Sequence, residues 1–186
     1  EEFIFIIDCS GSMSGSSIQL ARECLILFIK SLPENCYFNV VRFGTDYESF
    51  FDEPVLYSSS NVDITLNRAK KMDADLDCTN LSKPFNFVFS KKPSKIRRVF
   101  VITDGFVDDR DKVISLVKEN SKQSICNAIG IGNSVDKQLV EQIGKEGNGF
   151  TDFVSSENDD MKSTVINQLS KSMKGYCNIE MSIENN

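Results

Sequence analysis

Phe3-Ile4-Phe5-Ile6-Ile7-Asp8-Cys9-Ser10-Gly11-Ser12-Met13-Ser14 is the stretch whose reading decides the fold of this chain. An unbroken apolar run of strand length that stops at an acid is the pattern of a parallel strand buried on both faces. The polar residues that follow then lie at the strand's carboxyl end, where open α/β sheets bind ligands. Asp8, Ser10 and Ser12 alternate with Cys9 and Gly11, so three oxygen-bearing side chains can turn toward one point, with Gly11 expected to permit the tight turn. Hard oxygens converging on one point suit a small hard cation.

Outward from that stretch, strand and helix patterns alternate. Ile18, Leu20, Ala21, Cys24, Leu25, Leu27, Phe28 and Leu32 recur at helical spacing up to Pro33. Residues 36–43 read as a second strand, and residues 47–51 as a short antiparallel edge strand across the turn Gly44-Thr45-Asp46. Ser58-Ser59-Ser60-Asn61 offers N-caps for a helix through Val62, Leu66, Ala69 and Met72. A further helix is expected over 80–90, with Pro84 tolerable near its start. Residues 96–103 repeat the design of the first strand and lead into Asp104. Asp108 and Asp109 then stand at the positive end of a helix through Val113, Ile114 and Val117. A strand over 123–130, a helix over 134–145, a strand over 149–154 and a helix over 159–173 complete the series. The prediction is an α/β fold, doubly wound, its mostly parallel sheet carrying one antiparallel edge strand and helices on both faces. Gly175-Tyr176 is expected to close the last helix, and 178–183 alternates like the start of a strand. One domain over 1–175 follows, with 176–186 assigned to the adjoining part of a parent protein.

Asp8-x-Ser10-x-Ser12 after an apolar strand resembles the metal-ion-dependent adhesion site of von Willebrand factor A domains, which adds a Thr and an Asp from two later loops. Thr79, in Asp77-Cys78-Thr79-Asn80-Leu81, and Asp104, in Val99-Phe100-Val101-Ile102-Thr103-Asp104-Gly105, stand at suitable positions. The similarity covers nearly the whole chain. Residues 32–44 and 47–51 are most similar to the branch found beside VIT domains, which includes the VWA domain-containing protein 5A type, the vault poly(ADP-ribose) polymerase and the inter-alpha-trypsin inhibitor heavy chains. The resemblance implies a Rossmann-like fold with a divalent ion at the top of the sheet. Ser10, Ser12 and Thr79 would ligate directly, and Asp8 and Asp104 largely through water. Donors that are all oxygen and seldom charged favour magnesium, with manganese or calcium as alternatives. The partner implied is another protein, whose Asp or Glu completes the coordination.

One departure stands out. Where related sites commonly read Gly-Gly-Thr, this chain reads Asp77-Cys78-Thr79, so Asp77 either modulates the site by attracting the ion and repelling an acidic partner, or points to solvent and is screened. A plainer account of the first loop is that Asp8, Ser10 and Ser12 only cap the first helix and satisfy loop amides. It leaves Thr79 and Asp104 unexplained.

The 186 residues are one domain's worth of chain, and no apolar run approaches the roughly 20 residues of a membrane span. The net charge of −6 argues against a nucleic-acid binder, and the basic patch of Lys91, Lys92, Lys95, Arg97 and Arg98 reads as a solvated loop. Six cysteines without metal-ligand spacing are expected to be reduced core residues of an intracellular, cytoplasmic protein, with secretion left open. Cys9 and Cys78, each beside a proposed ligand, could be close in space. Asn80-Leu81-Ser82 is a formal glycosylation sequon, but a glycan there would obstruct the metal face.

The chain has no histidine, which removes a Ser-His-Asp hydrolase, and Gly11-Ser12-Met13-Ser14-Gly15 carries Met13 where a nucleophile elbow has serine. Gly130-Ile131-Gly132 lacks the third glycine of a dinucleotide fingerprint, Val135 standing in its place, and is attributed to close packing. The function expected is a non-catalytic, metal-dependent protein-binding module. The alternative is a structural docking domain of a larger intracellular protein whose ion only stiffens loops. A magnesium-dependent phosphotransferase ranks below both, because Ser10 stands where such enzymes carry an acid or base.

Overall fold

The structure is a computed structural model that describes residues 1–93, 95–155 and 160–183, with side chains through Lys174. Its elements in chain order are β1 (Glu2–Asp8), α1 (Ser16–Ser31), β2 (Tyr37–Phe43), β3 (Tyr47–Ser49), β4 (Val55–Leu56), α2 (Ser59–Lys70), α3 (Ser82–Ser90), β5 (Arg97–Thr103), α4 (Arg110–Asn120), β6 (Ser124–Ile131), α5 (Lys137–Glu146), β7 (Asn148–Val154) and α6 (Met161–Ile183). One sheet of order β3-β2-β1-β5-β6-β7 forms the centre, with β4 also paired to β2. The pairs β1–β2, β1–β5, β5–β6 and β6–β7 are parallel. Short β3 and β4 both run antiparallel to β2, at the edge where the sequence predicts an antiparallel strand.

Every residue of β1 and of β5 is buried, as strands covered on both faces must be. Successive side chains alternate between two layers. Phe3, Phe5 and Ile7 join Phe28, Phe100 and Ile102 beneath α1, α2 and α6, while Ile4 and Ile6 join Phe85, Val113 and Ile143 beneath α3, α4 and α5. The first layer centres on three rings: Phe28 of α1 lies 5.3 Å from Phe5 and 4.9 Å from Phe100, centroid to centroid.

Three sequence-based expectations are corrected here. Helix α6 continues through Gly175 to Ile183, and its backbone over 178–183 is helical where a strand was expected. A helical glycine costs only about 1 kcal/mol relative to alanine, a weak stop signal, and six alternating residues are too few to outweigh the helix already propagating. The expected helix start at Asp159, like residues 184–186, lies outside the described residues. Second, Arg97 and Arg98 are not part of a solvated patch but are 2% and 1% exposed. They open β5, where Arg97 pairs with Glu2 at 2.5 Å and Arg98 with Glu1 at 3.0 Å. Third, Gly11 is not the residue with the unusual backbone. It opens a short 3-10 turn, Gly11–Met13, and the positive φ falls at Gly15 (81°).

Replacing Phe28 with alanine empties the centre of the ring cluster. Urea denaturation of Phe28→Ala is expected to show a loss of roughly 3–5 kcal/mol; a loss under about 1 kcal/mol would show that α1 is not held to the sheet by this contact.

Candidate metal centre

β1 and β5 are neighbours with Ile7 opposite Ile102, so Asp8 at the end of β1 and Asp104 just past β5 emerge at the same edge of the sheet. Both acids are buried, at 0% and 6% exposure. Asp8 Oδ1 accepts the Ser10 N–H at 3.0 Å, and Oδ2 accepts the Thr103 hydroxyl at 2.6 Å. Burial pushes the Asp8 carboxyl up from 3.8 to about 6, against the pull of the hydrogen bonds from Thr103 and Ser10 and with help from the nearby Asp104 charge. No lysine or arginine pairs with either acid among the described residues.

The hydroxyls stand beside these acids. Ser10 Oγ and Ser12 Oγ are 3.0 Å apart, Ser10 buried and Ser12 exposed. Neither the 3-10 turn nor α1 has a side-chain cap, so of the plainer account of the first loop only the satisfied amide holds, Asp8 accepting the Ser10 N–H. Thr79, 8% exposed, lines a cavity of about 390 Å³ together with Ser12, Cys78, Phe106, Val107, Asp108 and Asp136.

A web of backbone bonds carries the Thr79 loop to this position. Leu76 N–H donates to Cys9 O at 3.1 Å, Gly11 N–H to Asp77 O at 2.8 Å, Thr45 N–H to Leu76 O at 2.7 Å and Asn80 N–H to Gly44 O at 2.8 Å. The approach demands a glycine at the end of β2, because a Cβ on Gly44 would lie 2.2 Å from Leu76 O. On the far side, Asp108 N–H donates to Thr79 O at 3.1 Å. Asp109 reaches across to accept the N–H groups of Leu81 (3.3 Å) and Ser82 (2.8 Å) at the start of α3. Asp109 was expected to serve the positive end of α4, yet its carboxylate makes no capping bond there. Asn80 Oδ1 accepts from the Ser82 hydroxyl at 3.1 Å and from Lys83 N–H at 3.3 Å, so the sequon asparagine is a cap of α3.

Asp77 adopts a left-handed backbone with φ 57° and is exposed. That conformation is one glycine occupies freely and aspartate tolerates. Cys9 and Cys78 are both free thiols, the first buried and pushed up to about 12 by burial, the second exposed. Cys177 lies outside the residues whose side chains are described. Among the described residues, no group of three or more His, Cys, Asp or Glu is placed to hold a metal. An ion at this edge would therefore rest on two carboxylates and three hydroxyls. That set fits a hard divalent cation, and the two buried, uncompensated acids are the observation that calls for one.

A family model, the von Willebrand factor type A domain, matches residues 1–153. The chain belongs to the von Willebrand factor A family. Its likeness to the 5A type is borne out as well: the rat von Willebrand factor A domain-containing protein 5A is 37% identical over 179 residues, covering 90% of this chain and 22% of that protein. A von Willebrand factor A domain-containing protein of Dictyostelium discoideum is 38% identical over 172 residues, 91% of this chain and 19% of its own length. The chain thus spans about a fifth of the curated relatives it matches. Among solved structures, the von Willebrand factor type A protein of Catenulispora acidiphila superposes with a TM-score of 0.81 at 17% identity, over 93% of this chain and 42% of that one. Proximal thread matrix protein 1 from the mussel byssus, with a zinc-occupied MIDAS motif, gives 0.71 at 17% identity over 88% and 44%. Manganese-loaded TRAP protein of Plasmodium vivax gives 0.66 at 19% identity over 83% and 68%.

In this von Willebrand factor A domain, Thr103 is a residue to which the sequence assigns no role, while Asp109 and Gly44, read there as a helix-end acid and a turn residue, also support the Thr79 loop. Thr103 had the clearest signal, a hydroxyl closing an otherwise apolar strand directly before Asp104. Its Oγ1 donates to Asp8 and accepts the Gly105 N–H at 3.0 Å. Thr103→Val keeps the shape and removes both bonds, so it is expected to cost roughly 1–3 kcal/mol in a denaturation titration. An unchanged midpoint would mean that Asp8 does not depend on this hydroxyl.

Proposed function

We propose that Asp8, Ser10, Ser12, Thr79 and Asp104 hold a divalent cation, magnesium in the first instance, and that the domain is a non-catalytic module for binding another protein. The observation that carries this reading is the pair of buried acids at one end of the sheet with no ion pair to a lysine or arginine among the described residues. Ser10, Ser12 and Thr79 would supply neutral oxygens, and Asp8 and Asp104 the charge. Two carboxylates on a divalent ion leave the centre near neutrality, which lets a third, from a partner's Asp or Glu, approach without strong repulsion. When bound, the cation supplies a directional positive centre for that carboxylate. Zinc in the adhesion-site motif of one protein of this fold, and manganese loaded in another, add support that the architecture accommodates divalent ions. A binding role is also favoured by Ser10, which stands two residues beyond Asp8 where a phosphotransferase would need an acid or base and instead faces Ser12.

Asp104→Ala is expected to abolish magnesium binding in calorimetry while the thermal transition remains cooperative, and Ser12→Ala to weaken the ion less, because water can replace a neutral ligand. Undiminished affinity in Asp104→Ala would remove Asp104 from the site. Partner capture should be lost on adding a chelator; capture that survives would leave the ion a purely structural role.

Asp77 needs a different variant from the obvious one. Asp77→Gly would also relax a left-handed backbone, and Asp77→Asn removes the charge while keeping a residue suited to that conformation. If Asp77 modulates the ion, Asp77→Asn should weaken magnesium and strengthen capture of an acidic peptide. No change in either would make Asp77 a screened surface residue.

A further inference from the structure

The cavity beside the candidate centre has two unlike kinds of lining. Ser12 and Thr79 supply hydroxyls to the lining, and Phe106 and Val107, followed by Asp108, supply an apolar stretch ending in an acid. Phe106 is 52% exposed, a large ring left in water by a chain whose core rings are otherwise covered. It is not on a loose loop. Its N–H donates to Asp104 Oδ1 at 3.2 Å, two residues back. Between them Gly105 has φ 84°, and a Cβ there would lie 2.8 Å from Asp136 O, so the turn is wedged beneath the start of α5. Asp136 N–H in turn donates to Asp104 O at 2.9 Å. The same bonds that seat Asp104 therefore seat Phe106, and the ring is presented to solvent from a fixed backbone.

The charges around this cavity are unequal. Asp136 is compensated, both of its oxygens lying 2.7 Å from Arg110 Nη2. Asp108 is exposed and belongs to no ion pair among the described residues. Asp77 is likewise exposed, next in sequence to Cys78 of the cavity lining. The cavity and its surroundings thus join an apolar ring and a valine to two exposed, unpaired acids, Asp108 and Asp77.

We propose that Phe106, Val107 and Asp108 select the partner, which is a peptide segment carrying an acidic residue with a large apolar side chain beside it and a lysine or arginine next to that. The acid completes the ion, the apolar side chain covers Phe106 and Val107, and the cation answers Asp108. An acid with further acids around it is rejected by these exposed acids, so recognition combines an attraction with a repulsion. Phe106 is the anchor of this surface, since a large ring at the centre of a contact carries a disproportionate share of binding. This selectivity rests on the metal-dependent reading given under the proposed function.

The test separates the two. A displayed library of heptapeptides with a fixed central glutamate and random flanks is panned on the domain in magnesium and eluted with a chelator, using wild type, Phe106→Ala, Phe106→Leu and Asp104→Ala. Wild type is expected to enrich leucine, isoleucine, methionine or phenylalanine beside the glutamate, together with lysine or arginine. An enriched synthetic peptide should bind Phe106→Ala roughly tenfold more weakly, and Phe106→Leu should recover most of that loss. Magnesium calorimetry should not distinguish either variant from wild type, because only the backbone of Phe106 touches Asp104. Chelator-eluted peptides without apolar enrichment, or equal affinity for Phe106→Ala, would overturn the selectivity while leaving metal-dependent capture standing. An absence of chelator-eluted peptides from wild type, or their retention by Asp104→Ala, would overturn the metal-dependent reading and this inference with it.

Discussion

Asp8 is a carboxylate with no exposed surface at the end of a strand whose preceding five residues are all apolar, and the upper half of the domain is arranged around that fact. Removing an ionised acid from water costs several kcal/mol even after relaxation, which is why burial drives this carboxyl toward its protonated form. Two hydrogen bonds offset part of the cost, one from the next loop and one from the neighbouring strand. Neither donor carries a full positive charge. The same edge then adds Asp104, which makes the electrostatics worse rather than better. A fold selected for stability alone would place apolar or neutral groups there, so the arrangement is intelligible as a site that expects a cation.

The two kinds of support for the site differ in stiffness. Asp8 and Asp104 are tied to a ladder in which β1 and β5 pair from Glu2 through Ile7, so their separation is governed by strand spacing. Thr79 hangs instead on a connection between α2 and α3, held by backbone bonds to the ends of β1 and β2 and by the Asp109 carboxylate. The charged pair is therefore fixed by the sheet, while the third neutral oxygen depends on a loop tied to that sheet by backbone bonds and by Leu76 and Leu81 packed on the two core layers.

Much of this was legible in the sequence because the periodic signals were strong. Phe3 to Ile7 and Val99 to Ile102 are all-apolar runs bounded by polar residues, and helix α1 shows its buried stripe without interruption. The five proposed metal residues were found by their order in resemblance to a family, and the structure places all five at one end of the sheet. What was not legible depends on contacts between segments distant in sequence. Nothing local reveals that Asp109 reaches back to α3, that Gly44 is demanded by Leu76, or that Arg97 and Arg98 find Glu2 and Glu1 across the sheet. A lysine-rich approach to a strand makes the two arginines look like more of the same solvated patch. The continuation of α6 is hidden for a different reason, since Gly175 looks like a terminator while a glycine inside a helix costs only about 1 kcal/mol relative to alanine.

The strand order has a consequence for assembly of the chain. β1 precedes the other strands of this sheet in the chain, and it lies in the middle of the finished sheet, flanked by β2 and β5. The residue separation between Asp8 and its donor Thr103 is 95. While the ribosome is still making α2 and α3, β1 and β2 can pair, but the other edge of β1 stays open, presenting phenylalanine and isoleucine with unsatisfied backbone groups. Such an edge is a template for pairing with another chain. Closure comes only when β5 arrives, and that same event brings Thr103 to Asp8 and delivers Asp104. The pairing of β5 with β1 thus covers that open edge and brings the two buried acids together in the same event.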